Sequence, residues 1–174
     1  MSSFLIDNTE RALVMTRSDL IAFAVQQVLG AQDITADTCR TLSQCLSADI
    51  DVVYLDDKLL ENRNLKQVLA WLDQHTTGAR LVILSAQCHG LWVKRVLEQG
   101  AVGFLYTDDA LVDLLPIVTR QVVQGNIYLS PCAQKALSEL GDFESRILSR
   151  MTEYQSSVLK FMLAGRSTQV ISTE

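Results

Sequence analysis

Short apolar runs alternate with amphipathic stretches along the first 125 residues of the chain. The apolar runs have the length of β-strands, and the stretches between them repeat apolar residues at the three- and four-residue spacing of helices. The strands are expected at residues 12–16, 33–37, 51–55, 80–86 and 101–106. The helices are expected at residues 18–30, 38–48, 64–75, 89–100 and 108–125.

Five strand–helix pairs in succession predict an α/β fold, a doubly wound parallel sheet with helices on both faces. Four of the strands are apolar enough to be buried on both faces, whereas 33–37, DITAD, is polar and suits a sheet edge. We therefore expect a five-stranded sheet in the order 2-1-3-4-5, followed by a short helical segment. Ligands of such sheets bind at the carboxyl ends of the strands, where the strand order reverses.

Capping residues predict where the helices begin. Ser18 or Asp19 is expected to cap the first helix, and Asp108 or Asp109 is expected to cap the helix at 108–125. Pro116 lies inside that helix and is expected to kink it, because proline lacks the backbone N–H that a helix interior uses.

The pattern changes after Gly125. A short extended piece comes first, and a helix is expected to open at Ser130-Pro131. A polar connector follows, and then a segment with a helix that runs to Gly165. We expect three parts: a sheet domain at 10–126, a linker with a helix at 127–150, and a separate segment at 151–174.

The composition is that of a globular chain, with 48% apolar and 20% charged residues among 174. The net charge of −5 does not favour nucleic-acid binding by the chain as a whole, because phosphate binding requires a basic face. The chain has no apolar run of about 18 residues, and its start lacks the pattern of a secretory signal. We therefore expect a cytoplasmic protein without membrane contact.

The cysteine and histidine spacing predicts neither a zinc site nor a disulfide framework. The residues are Cys39, Cys45, Cys88, Cys132, His75 and His89. None of the cysteines forms a CxxC pair, and the two histidines lie far apart. Small buried apolar side chains are the favoured interpretation of these cysteines.

The stretch DVVYLDD, residues 51–57, directs attention to the carboxyl edge of the predicted sheet. It reads as a buried strand that delivers Asp56 and Asp57 to the strand end. Ser85 and Thr107 follow the next two strands, and Thr16-Arg17 follows the first. These side chains are expected to meet at one edge, because the carboxyl ends of parallel strands lie together.

Residues 11 to about 140 resemble the receiver domain of response regulators, with the NarL/FixJ subgroup the nearest. The stretch GAVGFLYTDDALVDLLPIVTRQVVQGNIYLSP, residues 100–131, carries the most specific likeness. Residues 151–172, MTEYQSSVLKFMLAGRSTQVIS, resemble the start of a LuxR-type helix-turn-helix domain. The DNA-reading helix of such a domain would lie beyond Glu174, so we expect the chain to be truncated there.

The resemblance implies a flavodoxin-like receiver fold and a set of pocket positions. Asp56 stands at the phospho-acceptor position, Ser85 at the phosphate-binding hydroxyl and Phe104 at the switch aromatic. Ser85 could equally bond to backbone, and Phe104 could be plain core.

Three pocket positions depart from the family pattern. The acidic pair that holds Mg²⁺ falls on Thr16 and Arg17, and the phosphate-binding lysine falls on Thr107. No metal site and no cofactor are therefore expected, and Mg²⁺ in particular is not. Arg17 could pair with Asp56 or Asp57 in place of the metal, or it could point to solvent.

The expected function is a regulatory domain of a transcriptional response regulator that works without phosphorylation. It would act through homodimerisation, a regulatory protein or a small ligand, and reach DNA only through the complete helix-turn-helix domain. The alternative is a conventional receiver, phosphorylated at Asp56 by a histidine kinase despite an eroded Mg²⁺ site. An enzyme is not expected, because no glycine-rich phosphate loop or nucleophile–base arrangement is evident.

Overall fold

The strands of the computed structural model form one parallel sheet. They are β1 (Arg11–Met15), β2 (Thr35–Cys39), β3 (Val52–Asp56), β4 (Arg80–Ser85), β5 (Gly103–Tyr106) and β6 (Tyr128–Leu129). The structure describes residues 10–41, 49–60 and 65–150, with side chains as far as residue 142. The sheet order in these ranges is β2-β1-β3-β4-β5-β6. The doubly wound fold and the order 2-1-3-4-5 are confirmed, and the predicted count of five strands is one too few.

Helices connect the strands. They are α1 (Asp19–Gly30), α2 (Leu65–His75), α3 (Gly90–Glu98), α4 (Leu111–Val123) and α5 (Pro131–Arg150), with a 3₁₀ turn at Asp57–Leu60. The Ser18 cap is confirmed, because its hydroxyl accepts the Ile21 N–H at 3.3 Å. The chain divides into two units, Met1–Leu137 and Ser138–Glu174. Within the ranges described, no helix is long and apolar enough to cross a membrane.

The core lies in two layers, one on each face of the sheet, because successive strand residues point to opposite faces. On β3, Val53 and Leu55 join the layer under α2 and α3, whereas Val52 and Tyr54 join the layer under α1 and α4. Tyr54 is fully buried, and its hydroxyl lies 2.7 Å from the Thr119 hydroxyl of α4. This burial raises the pKa of Tyr54.

The sixth strand pairs with the edge of β5. The Tyr128 N–H donates to the Val102 carbonyl at 3.0 Å, and the Ser130 N–H donates to the Phe104 carbonyl at 3.0 Å. The Ser130 hydroxyl accepts the Tyr106 N–H at 3.1 Å. The extended piece predicted before Ser130-Pro131 therefore adds to the sheet, which the sequence pattern did not indicate.

The second strand begins two residues later than predicted. Asp33 has a left-handed φ of 59°, and the Ile34 N–H donates to the Leu29 carbonyl at 3.1 Å. Both residues therefore belong to the turn that ends α1. Thr38 and Cys39 consequently lie in β2, and their assignment to a helix at 38–48 is wrong. Arg40 and Thr41 form a bend and not a helix, and residues 42–48 of that predicted helix lie outside the described residues.

The predicted aspartate cap of α4 is also wrong. The helix follows Ala110, and no side chain caps its first turn. Asp109 instead accepts the Cys132 N–H at 3.3 Å, and Asp108 accepts the Tyr106 hydroxyl at 2.9 Å. Both carboxylates are thus engaged at the end of β5 and the start of α5.

Candidate functional site

The carboxyl ends of β1, β3, β4 and β5 bring the predicted pocket residues to one edge of the sheet. Met15 pairs with Leu55, so the next residues on each chain, Thr16 and Asp56, are neighbours. The pairing of Asp56 with Leu84 places Ser85 beside Asp57 in the same way.

Asp56 is buried, with 4% of its surface exposed, and both of its carboxylate oxygens accept hydrogen bonds. The Thr16 hydroxyl donates to Oδ2 at 2.6 Å, and the Lys58 N–H donates to Oδ1 at 3.1 Å. The Thr16 hydroxyl in turn accepts the Ser18 N–H at 3.0 Å. A buried carboxylate needs such donors, because burial of an unpaired charge is costly. The protein itself therefore supplies partners for the carboxylate at the predicted acceptor position.

Asp57 and Ser85 form a second pair beside the first. The Ser85 hydroxyl contacts the Asp57 Oδ2 and lies 2.8 Å from the Gln87 carbonyl. The Gln87 N–H donates back to the Ser85 hydroxyl at 3.1 Å. Because a hydroxyl carries one hydrogen, it can donate to only one of the two acceptors at a time.

The half-buried Asp57 carries a raised pKa. Burial is the main cause, and the negative charge of Asp56 raises the pKa further. The hydrogen bond from Ser85 and the charge of Lys58 lower it in part. A protonated Asp57 could donate to Ser85 and free the serine hydrogen for the Gln87 carbonyl.

Arg17 is exposed and lies beside Arg40 in a concavity that also includes Met15 and Leu55. The hypothesis that Arg17 pairs with Asp56 or Asp57 is wrong, because the ion pairs of the described residues do not include either contact. The Thr16 hydroxyl, and not Arg17, is the side-chain partner of Asp56. The alternative, an Arg17 side chain directed to solvent, agrees with its exposure.

The two remaining predicted residues are Phe104, which lies within β5, and Thr107, which directly follows it. The Thr107 N–H donates to the Ser85 carbonyl at 2.9 Å, so the end of β5 is tied to the end of β4. Phe104 is fully buried in the core layer that also contains Ile83 and Ala133.

Sequence reasoning placed Thr16 in the pocket but missed its bond to Asp56 and the role of the Lys58 N–H. The sheet register was the available signal, since strands of the order predicted bring residues 16 and 56 side by side. The Lys58 contact depends on the 3₁₀ turn after β3, which the sequence pattern did not indicate.

The donor set at this edge does not fit Mg²⁺, the metal of the receiver family. Mg²⁺ requires octahedral oxygen coordination and leans on carboxylates. Thr16 and Arg17 replace the acidic pair, while Asp56 and Asp57 already accept hydrogen bonds from Thr16, Lys58 and Ser85. Across the ranges described, no three or more His, Cys, Asp or Glu side chains are grouped to hold a metal ion.

Comparisons with known proteins find one distant sequence relative and solved structures of the same fold. No protein-family model matches the chain. A Pseudomonas aeruginosa protein described as a candidate transcriptional regulator is 24% identical over 109 residues, which are 62% of this chain and 52% of that protein. The chain thus spans about half the length of the relative that it matches.

Two solved structures of Salmonella response regulators share the fold. The RcsB response regulator of Salmonella typhimurium, studied for DNA interaction, superposes with a TM-score of 0.65 at 12% identity, covering 95% of this chain and 88% of that one. The isolated receiver domain of RcsB from Salmonella enterica serovar Typhimurium, solved with the phosphomimetic BeF₃⁻, gives a TM-score of 0.62 at 12% identity, with coverage of 75% and 99%. The fold of this chain is therefore the receiver fold of response regulators.

Proposed function

We propose that this chain is the regulatory part of a transcriptional response regulator whose receiver domain, residues 10–126, works without phosphorylation. The observation that carries the proposal is the hydrogen bonding of Asp56. Both carboxylate oxygens are held by the protein, one by the Thr16 hydroxyl and one by the Lys58 N–H. Each hydrogen bond withdraws electron density from a carboxylate oxygen and occupies one of its lone-pair sites, which makes that oxygen a weaker nucleophile toward a phosphoryl donor.

Electrostatics support the same conclusion. Phosphoryl transfer depends on positioning and on neutralisation of charge by metal and cationic groups. Thr16 and Arg17 stand where the receiver family has the carboxylates that hold Mg²⁺. Thr107 stands where the family has the lysine that binds phosphate. Two unit positive charges about 4 Å apart repel each other by about 4 kcal/mol at an effective dielectric of about 20, so the Arg17 guanidinium would disfavour a metal cation beside it. Arg17 is exposed, so solvent screens this repulsion, and the missing carboxylates contribute more to the loss.

The output of the domain would pass through the segments that follow it. Residues 127–150, which contain β6 and α5, would be the linker. Residues 151–174 would be the start of a LuxR-type helix-turn-helix domain, and this second part of the prediction falls on residues outside those described. DNA contact would then belong to the complete helix-turn-helix domain. The charge of the receiver range supports this division, because residues 10–126 contain 14 acidic and 10 basic residues, and an acidic domain repels phosphate.

Exposed apolar side chains on α1 and α4 support a homodimer. Leu20 is 77% and Phe23 is 62% exposed on α1, and Ile117 is 49% exposed on α4, which packs beside α1. Pairing with a second copy would remove this apolar surface from water. Analytical ultracentrifugation of Phe23→Ser should show a weaker dimer. Leu91→Ser on α3, where Leu91 is 62% exposed, is the matched control and should leave association unchanged.

Regulation without phosphate requires another input. The concavity beside Arg17 and Arg40 lies at the strand ends, where ligands of parallel sheets bind. A small anionic ligand or a regulatory protein that contacts Arg17 and Arg40 would favour one conformation of the receiver domain.

The deciding experiment is an NMR titration of the chain with Mg²⁺ and beryllofluoride. We expect no saturable shifts in the amides near Asp56, Ser85 and Thr107 at millimolar concentrations. A variant that restores the family pattern, with Thr16→Asp, Arg17→Asp and Thr107→Lys, should gain shifts that disappear when Asp56→Ala is added. Saturable shifts in the natural chain, lost with Asp56→Ala, would establish the alternative of a conventional receiver.

A further inference from the structure

The helix that follows the last strand is capped by a side chain from another part of the chain. α5 begins at Pro131, and the first N–H groups of a helix have no partner within the helix. Ser130 stands at the usual capping position, but its hydroxyl accepts the Tyr106 N–H at 3.1 Å. The Cys132 N–H donates instead to the Asp109 carboxylate at 3.3 Å. The first turn of α5 therefore depends on a side chain that follows β5.

A tight turn joins Asp109 to the carboxyl edge of the sheet. The Asp109 N–H donates to the Tyr106 carbonyl at 3.1 Å, which closes a turn over residues 106–109. Within this turn, the Thr107 N–H donates to the Ser85 carbonyl at 2.9 Å. The same turn thus bonds to the end of β4 beside the predicted pocket and supplies the cap of α5.

Further contacts fix where α5 begins. Ala133 is fully buried in the core layer under α2 and α3. The Gln134 N–H donates to the Ser130 carbonyl at 2.9 Å, which starts the hydrogen bonding of the helix. α5 continues to Arg150, past Leu137, where the first unit of the chain ends. These contacts hold the start of a helix whose far end lies outside that unit.

We propose that Asp109 is a positioning residue for α5, and that the turn at residues 106–109 passes a change at the carboxyl edge of the sheet to the first turn of that helix. A ligand or covalent group that displaces Ser85 or Thr107 would move Asp109 with the turn, and the Cys132 N–H would lose its partner. The inference holds whether or not Asp56 is phosphorylated, so it does not depend on the proposed function.

The first test measures the exchange of backbone amides with water by NMR on the full chain. Asp109→Ala should speed exchange at Cys132 and Gln134 by about 2- to 30-fold, the range that corresponds to loss of a helix cap. Asp109→Asn keeps an acceptor oxygen but loses the negative charge that favours a helix N-terminus, so its rates should lie between those of the natural chain and Asp109→Ala. Asp108→Ala is the matched control, because it removes the neighbouring carboxylate, which bonds to the Tyr106 hydroxyl. This control should leave exchange at Cys132 unchanged.

An internal reference separates release of α5 from a general loss of stability. The Ile21 amide is held by the Ser18 hydroxyl at the start of α1, so opening of that turn does not involve Asp109. Exchange at Ile21 should stay at the natural rate in every variant. Unchanged exchange at Cys132 in Asp109→Ala would overturn the role of Asp109. Equal acceleration in Asp108→Ala, or at Ile21 and Cys132 alike, would overturn it as well.

The second test breaks the bond between the turn and β4. Thr107→Pro removes the N–H that donates to Ser85, and proline suits the second residue of a tight turn. We expect exchange at Cys132 to rise by about 2- to 10-fold, as for the loss of one hydrogen bond. Thr107→Ala keeps the N–H and should have no effect. A rise in both variants, or in neither, would overturn transmission through the turn. The Asp109 variants keep the assignment of the cap testable even if Thr107→Pro fails to fold.

Discussion

The hydrogen bond between Thr16 and Asp56 makes a direct prediction about stability. Thr16→Val keeps the shape of the side chain and removes the hydroxyl that lies 2.6 Å from the Asp56 Oδ2. Thr16 is 3% and Asp56 is 4% exposed, so water cannot easily replace the lost donor. The carboxylate would then retain the Lys58 N–H as its remaining donor among those described at this edge.

The magnitude follows from the charge on the acceptor. A hydrogen bond to a charged group contributes about 1.5–3 kcal/mol, and loss of one partner leaves the other desolvated. The folding equilibrium should therefore weaken by about 10- to 150-fold. For a chain of this size, each kcal/mol lowers the melting temperature by about 2–4 °C, so a fall of about 3–12 °C is expected.

The assay is urea unfolding followed by circular dichroism, with Thr16→Ser as the matched control. Serine keeps the donor and should retain most of the stability. A double-mutant cycle of Thr16→Val with Asp56→Asn should give a coupling energy above about 1 kcal/mol, since the two side chains touch. Equal losses for valine and serine, or a coupling within about 0.5 kcal/mol of zero, would refute the argument that Thr16 sustains the buried Asp56 charge.

Two further substitutions test the site and the sheet. The pKa of Asp57 is higher in the folded chain than in the unfolded one, so the stability that its proton contributes is fully present below the unfolded pKa and is lost as the pH rises through the folded pKa. Asp57→Asn should therefore melt above the natural chain at neutral pH, and the difference should shrink as the pH falls below the folded pKa of Asp57. A lower melting temperature at neutral pH would mean that the bond to Ser85 outweighs the burial of charge. Gly103→Ala would place a methyl 3.0 Å from a Val82 methyl and should lower the free energy of unfolding by about 1–3 kcal/mol in a urea titration. Gly30→Ala, with nothing within 4 Å of its added methyl, is the control and should not lower it.

The order of the first five strands could be predicted because their apolar runs are long and their connections follow general rules of handedness and burial. The sixth strand could not, since Tyr128 and Leu129 are two residues that join the sheet through backbone bonds to β5. The shift of β2 depends on the left-handed φ of Asp33, a tertiary detail of how α1 ends.

The candidate site, like the fold, could be predicted from the sequence only in part. Thr16, Asp56 and Ser85 could be placed together because the carboxyl ends of parallel strands lie at one edge of the sheet. The strand register fixes which of these ends are neighbours. It could not decide between Thr16 and Arg17 as the partner of Asp56. The partner of Asp56 depends on the direction in which each side chain leaves the strand end. Thr16 is buried and contacts Asp56, whereas Arg17 is exposed.

The pairing of β6 with β5 has a consequence for association through strands. An uncovered edge strand presents free N–H and C=O groups on which a strand of another molecule can add. Tyr128 and the two bonds made by Ser130 occupy these groups at Val102, Phe104 and Tyr106. A chain cut after residue 126 would uncover them. The few residues that lead out of the domain thus also cover the β5 edge of the sheet against the addition of a strand from another molecule.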